Sequence, residues 1–412
     1  MLLDIPYGKD EVQRLDVPDR NLIQVLRPND VMQGGGRQAI GQALDHPIGG
    51  VPVEELFRRG DVLVIVNDGT RPTPTAQVLE ALRERVPLSE AHFLVATGAH
   101  RAPTEDEMEL IFGGLLPSLR RSIHVHDCRR SRMAYVATSK NGTDIWVNEL
   151  VQRHERILII TSVEPHYFAG YTGGRKSILP GVCAYSTIEQ NHRLAMRPEA
   201  RSLALEGNPV HGDMMDCASA MRGKTIMAVQ VVLDKHQGIY KVAAGDVHAS
   251  FNEAVRWADE VFVVEAKARA DIVVSIATYP MDVDLYQSQK AMENARPVLK
   301  EGGTLILVSK CRQGIGEERF YRLLSGSPDP DQVLKAVEVE YHLGDHKAAK
   351  MAEMGRRARI CGVTSLDDGT LQGINIVPFR SAQAALDEAL ARRPGASVMV
   401  IYEGSVVVPR VV

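Results

Sequence analysis

Short apolar runs of four to seven residues recur along the chain and alternate with stretches whose apolar residues fall three and four apart. The first pattern predicts strands and the second amphipathic helices, so their alternation predicts an α/β architecture. The runs read as strands are Val62 to Val66, Phe93 to Ala96, Ile157 to Thr161, Ile226 to Val232, Val261 to Val264, Ile272 to Ile276, Thr304 to Val308 and Val398 to Tyr402. Several are apolar at consecutive positions, as a parallel strand covered on both faces requires. Helices are expected over Pro74 to Arg85, Glu105 to Phe112, Ser186 to Met196, Pro209 to Met221, Ala249 to Asp259, Leu285 to Ala295 and Ala382 to Ala391.

From about Ala266 the pattern restarts with strand, helix and strand, then several helices and a closing strand. A chain of 412 residues also exceeds what one ordinary core accommodates. The expectation is two α/β domains with mainly parallel sheets, residues 1–265 and 266–412. No Pro/Gly/Ser-rich linker marks the join, so the halves are expected to pack closely, with the active site in the interdomain cleft.

Composition narrows the function classes. The chain is 44% hydrophobic and 24% charged with a formal net charge of −4, which provides no basic stripe for nucleic acid. The opening MLLDIPYGKDEVQRLDV carries acids and no apolar core run, unlike a secretory signal or presequence. No stretch of about 18 apolar residues occurs, so no membrane partner is expected and the chain is read as cytoplasmic. Cys128, Cys183, Cys217, Cys311 and Cys361 are scattered without a C-x-x-C pair, which predicts reduced, mostly buried thiols and no thiolate zinc site.

Four stretches do not read as core. Val66-Asn67-Asp68-Gly69-Thr70-Arg71-Pro72-Thr73-Pro74 follows a strand and precedes a helix, the position where ligands meet an open α/β sheet. Ala96-Thr97-Gly98-Ala99-His100-Arg101-Ala102-Pro103-Thr104 repeats that geometry, and its histidine is placed to move protons near neutral pH. The long run from Glu164 through His166, Gly170, Gly173, Gly174, Arg175 and Lys176 to Gly181 joins glycines, which let backbone approach a phosphate, to two cations. It is not a Walker loop, because Arg175 stands where that pattern needs glycine. Asp282-Val283-Asp284-Leu285-Tyr286-Gln287-Ser288-Gln289-Lys290 opens a helix on which Gln287 and Lys290 share a face suited to a carboxylate and a neighbouring oxygen.

Each stretch alone also admits a plainer reading: an Asx turn with a solvated arginine, a structural histidine, a basic surface turn, a solvated helix start. His192, sixteen residues beyond Lys176, lies on a helix without an H-E-x-x-H or paired-cysteine partner. If it binds a metal, an organic cofactor must supply most of the ligands. His124 and His126 would share a strand face with nothing else metal-binding near them, and His342 with His346 reads as a solvated helix face.

Together these stretches resemble the nickel-dependent lactate racemase family, over most of the chain and in the family's order from Asp68 to Lys290. The element E-P-H-x-F-A-G-Y-x-G-G-R-K-x-I-L-P-G carries most of that resemblance. It implies a racemase or epimerase of lactate-like or larger 2-hydroxy acids, working by proton-coupled hydride transfer. The implied cofactor is a nickel-pincer nucleotide, pyridinium-3-thioamide-5-thiocarboxylic acid mononucleotide, covalent on Lys176 and supplied by separate pincer-synthesis enzymes. Nickel would take its imidazole ligand from His192, in a sulfur and nitrogen set that suits Ni(II). His100 and His166 would be the two proton shuttles. Asp68, Thr70, Gly98, Gly173, Gly174 and Arg175 would hold the cofactor, with Asp68 also orienting the substrate network. Arg71, Tyr286, Gln287 and Lys290 would bind the 2-hydroxy acid.

Three other readings make different demands. An ATP- or GTP-using enzyme built on Gly-Gly-Arg-Lys-Ser would bind nucleotide with magnesium. A nicotinamide dehydrogenase needs a G-x-G-x-x-G turn, and Gly34-Gly35-Gly36 lacks that spacing. A non-enzymatic ligand sensor would tolerate replacement of His100 and His166.

Overall fold

The computed structural model describes all residues of the chain except Gln33 and Arg59, and the chain divides into two compact units. The unit Asp30–Val261 is built on a six-stranded sheet. Its strands lie in the order Ile239–Asp246, Thr225–Leu233, Arg156–Ser162, Val62–Asn67, His92–Ala96 and Ile123–Val125. All neighbours run parallel except the outermost pair, where Ile239–Asp246 is antiparallel to Thr225–Leu233. From Val62–Asn67 the chain steps outward to His92–Ala96 and Ile123–Val125, then returns to lay Arg156–Ser162 on the other side of Val62–Asn67. That reversal opens a crevice at the carboxyl ends of these two strands, the usual ligand position in such sheets.

The central strands are apolar at consecutive positions because both faces are covered. Val62 to Val66 and Ile157 to Ser162 are all buried. One face packs Val64, Val66, Leu158 and Ile160 against Val78, Leu79 and Leu82 of helix Thr75–Arg83 and Ile111 and Phe112 of helix Glu105–Phe112. The latter helix starts where expected because Thr104 and Glu107 form a reciprocal capping box.

The second unit joins Met1–Asn29 to Phe262–Val412. Its six-stranded sheet is wholly parallel, in the order Ile376–Pro378, Ala358–Val363, Leu299–Val308, Ala270–Ile276, Val398–Ile401 and Leu22–Leu26. This corrects the expected division at 265/266: the first residues of the chain belong with the last. The hairpin Leu2–Tyr7 and Glu11–Asp16 buries Leu3, Ile5 and Leu15 against Ile272, Val274 and Ile306, and Leu22–Leu26 pairs with Val398–Ile401. A partner so distant in sequence leaves no local signal.

Two further expectations shift. The helix Val247–Phe262 continues through the start of the expected strand Val261 to Val264, and the strand begins at Val263. His346 is buried in helix Asp345–Arg357, its Nδ1 2.9 Å from the Tyr341 hydroxyl, rather than on a solvated face. The cysteines are all free, and four of them are buried. Among the described residues no helix is long and apolar enough to cross a membrane.

Candidate active site

Three adjacent parallel strands of the Asp30–Val261 unit deliver their following loops to one end of the sheet. After Val62–Asn67 comes Asp68, buried, whose Oδ1 accepts from the Thr70 hydroxyl at 2.6 Å and the Thr70 N–H at 3.2 Å. After His92–Ala96 comes Gly98, whose left-handed φ of +55° turns the chain and whose N–H donates to Gly181 O at 2.9 Å. His100 follows, 48% exposed, with Nδ1 2.8 Å from Asp68 Oδ2. Burial pushes the Asp68 carboxyl up, but hydrogen bonds from His100 and Thr70 and the charge of Arg71 outweigh it and hold the group below its ordinary value. An ionised carboxylate only accepts, so the His100 proton sits on Nδ1 and the Nε2 lone pair is available to take another.

The third loop, after Arg156–Ser162, forms a miniature ladder of Pro165–His166 against Gly170–Tyr171. His166 is buried, stacked on Tyr167 at 5.1 Å and edge-on to Phe168 at 4.5 Å. Its Nδ1 accepts from the Ala169 N–H at 3.3 Å, which puts the proton of the neutral ring on Nε2. His166 and His100 therefore carry opposite tautomers in their neutral forms, His100 with Nε2 open and His166 with its proton there. Arg71, from the first loop, reaches Glu164 of the third at 3.3 Å, and Thr73 Oγ1 donates to Ser162 Oγ at 3.0 Å, so the two loops are tied together.

The glycine-rich run packs differently from the phosphate cradle that its sequence suggests. Gly173 has a φ of +113°, and a Cβ there would lie 2.9 Å from Gln230, Phe251 and Val163 side chains. The Gly174 N–H already donates to Gln230 Oε1 at 2.9 Å. Arg175 is fully buried, with Nε donating to His211 Nδ1 at 2.7 Å and its terminal nitrogens to the carbonyls of Thr172, Ala169 and Tyr171. Its guanidinium also lies 3.9 Å over the Phe251 ring, and burial lowers its pKa to about 9. In this structure the glycines let the run lie flat on its own core, and Arg175 pins it from below.

Lys176, the next residue, is half-buried in the short helix Gly174–Ile178. His192, on the last turn of helix Tyr185–Arg193, sits edge-on to Phe168 at 5.0 Å. Its pKa is lowered to about 3, first by burial and then by the positive charges of Lys176 and His100. A ring that stays neutral at physiological pH keeps a lone pair for a metal. Phe168, which the sequence did not single out, lies against both His166 and His192. His100, His166, Lys176 and His192, drawn from three separate stretches, thus converge, with Asp68, Thr70, Gly98 and Arg71 around them.

Tyr286, Gln287 and Lys290 lie half-buried on helix Leu285–Ala295 of the second unit, whose first turn is capped by Asp284 accepting from the Gln287 N–H at 2.6 Å. The Tyr286 ring meets Phe320 edge-on at 5.5 Å and carries the Lys347 ammonium 3.8 Å above its face. Lys347 also donates to the Tyr286 carbonyl. It is buried, and its pKa is well below the ordinary lysine value, through burial and then the charge of Lys290, with Asp284 opposing. Nothing in the sequence singled out Lys347, because D-H-K-A-A-K reads as a polar helix start.

His124 and His126 do not share a strand face: the strand ends at Val125, and His126 turns inward to donate from Nε2 to Cys183 O at 3.0 Å while Nδ1 accepts from Asn148.

Comparison with known proteins bears on the whole chain. Residues 7–203 match the family description of the lactate racemase N-terminal domain, and residues 264–408 that of the lactate racemase C-terminal domain. The lactate racemase of Thermoanaerobacterium thermosaccharolyticum is 32% identical over 346 residues, 81% of this chain and 80% of the relative. That of Lactiplantibacillus plantarum is 31% identical over 421 residues, 98% of each chain. The solved structure of the lactate racemase apoprotein from T. thermosaccharolyticum superposes with a TM-score of 0.92 at 29% identity, covering both chains completely. A Thermotoga maritima protein structure, with a TM-score of 0.69 at 16% identity over 92% of this chain and all of that one, shares the fold.

Proposed function

Because the chain belongs to the lactate racemase family, we propose that it interconverts the two configurations of lactate or a larger 2-hydroxy acid. The observation that carries this reading is the pair of histidines brought to one site, His100 backed by Asp68 and His166 packed on the Phe168 ring that also meets His192. Inversion at a hydroxyl-bearing carbon requires a proton to leave the oxygen on one side and return from another. Two imidazoles, one neutral and one protonated at the start of each turnover, meet that demand.

The residues fit a nickel-pincer nucleotide. Lys176 would hold it covalently, and the His192 ring, kept neutral, would supply an imidazole ligand to nickel. When bound, such a group supplies a reversible acceptor for the hydrogen on C2. A tether at Lys176 would leave an uncharged amide-like nitrogen there and so remove one of the charges acting on His192. The tether also implies separate enzymes that make and load the group.

In one direction His100 Nε2 takes the hydroxyl proton, and the buried Asp68 carboxylate stabilises the imidazolium that forms. His166, entering this step as an imidazolium with its long 3.3 Å contact to the Ala169 N–H given up, then returns its Nε2 proton to the oxygen of the inverted product and is left neutral. The histidines finish with their protons exchanged and reset through water, to which half-exposed His100 has access. The reverse reaction uses the same pair in swapped roles. Arg71, now held by Glu164, presents a planar fork that suits the substrate carboxylate. Tyr286, Gln287 and Lys290 are assigned to the substrate's oxygens on their sequence pattern.

The test is intact-mass and nickel analysis of protein made alongside pincer-synthesis enzymes, wild type against Lys176→Ala, followed by racemisation assays on single enantiomers of several 2-hydroxy acids. A nucleotide-sized mass gain with nickel, absent in the variant, together with loss of optical rotation in the assay, is the expected result. Unmodified, nickel-free wild-type protein beside a positive control that loads in the same host would overturn the reading. The nucleotide-triphosphate alternative loses its footing, since the Gly174 N–H and the Arg175 guanidinium are already engaged within the protein.

A further inference from the structure

At the opposite end of the same sheet, where its parallel strands begin, lies a second group of histidines unrelated to the site above. Asp61 immediately precedes strand Val62–Asn67, His92 opens His92–Ala96, His124 lies in Ile123–Val125, and His154 precedes Arg156–Ser162. Neighbouring parallel strands in register bring these four sequence-distant positions side by side. One ligand atom each from Asp61, His92 and His154 lie within 4.8 Å of one another. The His154 ring meets the His92 ring edge-on at 5.1 Å, and His92 lies 5.9 Å from the His124 ring.

The hydrogen bonding of His154 bears directly on what belongs there. Its Nδ1 lies 2.7 Å from Leu150 O, and a carbonyl can only accept, so Nδ1 carries a proton. The remaining Nε2 lies 3.2 Å from an Asp61 carboxylate oxygen. Two lone pairs at that distance repel unless a proton or a metal ion stands between them. An imidazole that donates one N–H to a backbone carbonyl and aims its other nitrogen at a carboxylate and a second imidazole has the arrangement of a metal-bound histidine with its outer-shell support. His154 is also almost wholly buried, and Lys224 Nζ fixes its segment by donating to the carbonyls of Gln152 and His154 at 2.8 Å each.

We propose that Asp61, His92 and His154 form a binding site for a divalent transition-metal ion of the zinc class, with His124 or water completing the coordination. Two imidazoles and one carboxylate favour such an ion over magnesium or calcium, which prefer all-oxygen shells. The site lies at the far end of the sheet from His100 and His166, so the ion staples the starts of neighbouring strands and takes no part in the proposed chemistry. Nothing here depends on the racemase reading.

The test is a competition titration of zinc ion against a chromogenic chelator, using the full-length protein prepared free of metal. The wild type and His192→Ala are expected to hold one common equivalent of zinc, which His92→Ala and Asp61→Asn each weaken by about tenfold or more. Zinc at a hundred times the wild-type dissociation constant should raise the thermal midpoint of the wild type by roughly 5 °C, and that of His92→Ala by about half as much or less. Diffraction at the zinc absorption edge should place the ion between the three side chains. The proposal is overturned if His92→Ala and Asp61→Asn titrate like the wild type, if the bound zinc disappears in His192→Ala instead, or if the wild type takes up none at about 100 µM.

Discussion

Single side chains in this protein have been given work that their residue type alone does not disclose. His100 and His166 are both histidines beside sheet ends, yet a carboxylate under one and a backbone N–H against the other set opposite tautomers. Replacing either with alanine should lower kcat by about a hundred- to ten-thousand-fold in the loaded enzyme, with nickel content unchanged. Asp68→Asn should cost less, because it leaves the base in place and removes only the charge beneath it. Steady-state kinetics with metal analysis would check both, and wild-type rates in His166→Ala would remove that residue from the mechanism. Arg175 makes the opposite case, a conspicuous motif cation whose role is internal. Arg175→Met strands three carbonyls and should destabilise the Asp30–Val261 unit by about 3–5 kcal/mol, read as a fall in denaturation midpoint even without cofactor. Two histidines of the same unit confer a pH dependence. His192 and His211 are each held at a pKa of about 3, chiefly by burial. Unfolded histidine titrates near 6.5, so between about 6.5 and 3 the unfolded chain binds more protons. The stability from the neutral, buried rings is therefore complete above about pH 6.5 and drains away as pH falls towards 3. Urea midpoints at pH 7.5 and 5 would detect this, and equal values would refute it.

Elements were legible in the sequence where their cause is local. The helices Glu105–Phe112 and Leu285–Ala295 fall on their expected residues because each begins at a side-chain cap, Thr104 with Glu107 in one and Asp284 in the other. Thr104→Ala should accordingly cost about 1 kcal/mol in denaturant unfolding and leave catalysis alone. The central strands were legible because double burial makes them apolar without interruption. Elements decided by distant partners were not: the half-buried run Leu22–Leu26 and the antiparallel strand Ile239–Asp246 acquire their identity from neighbours elsewhere in the chain. The same division runs through the site. His100, His166 and Lys176 could be picked out by their position after strands and His192 by the family resemblance, whereas the inward turn of Arg175 and the burial of Lys347 are consequences of packing. The glycine run shows that a motif legible as unusual in sequence also carries packing demands that only the fold reveals. Gly173→Ala combines a left-handed φ with a Cβ 2.9 Å from three neighbours, so it should destabilise the loop by more than about 2 kcal/mol.

For the molecule as a whole, the consequential fact is that its second unit is discontinuous in sequence. The segment Met1–Asn29 supplies that unit with the buried side chains of Leu3, Ile5, Leu15, Val17 and Leu26, and with the strand that covers the edge of Val398–Ile401. At roughly 1.5–3 kcal/mol for each large apolar side chain removed from water, this burial approaches the 5–15 kcal/mol net stability typical of a whole domain. A fragment cut at the boundary that the sequence suggests, residues 266–412, would also leave that edge strand unpaired, which invites association with other chains. It should be aggregated or lack a cooperative melt. The repair is short, because Asn29 Nδ2 donates to Val263 O at 2.9 Å, so the end of the first segment lies beside the start of the second. Residues 1–29 joined by a few glycines and serines to 262–412 should therefore give a monomer with a single thermal transition. If 266–412 melted as cooperatively and at the same temperature as the joined chain, the amino-terminal segment would be an appendage rather than part of the fold.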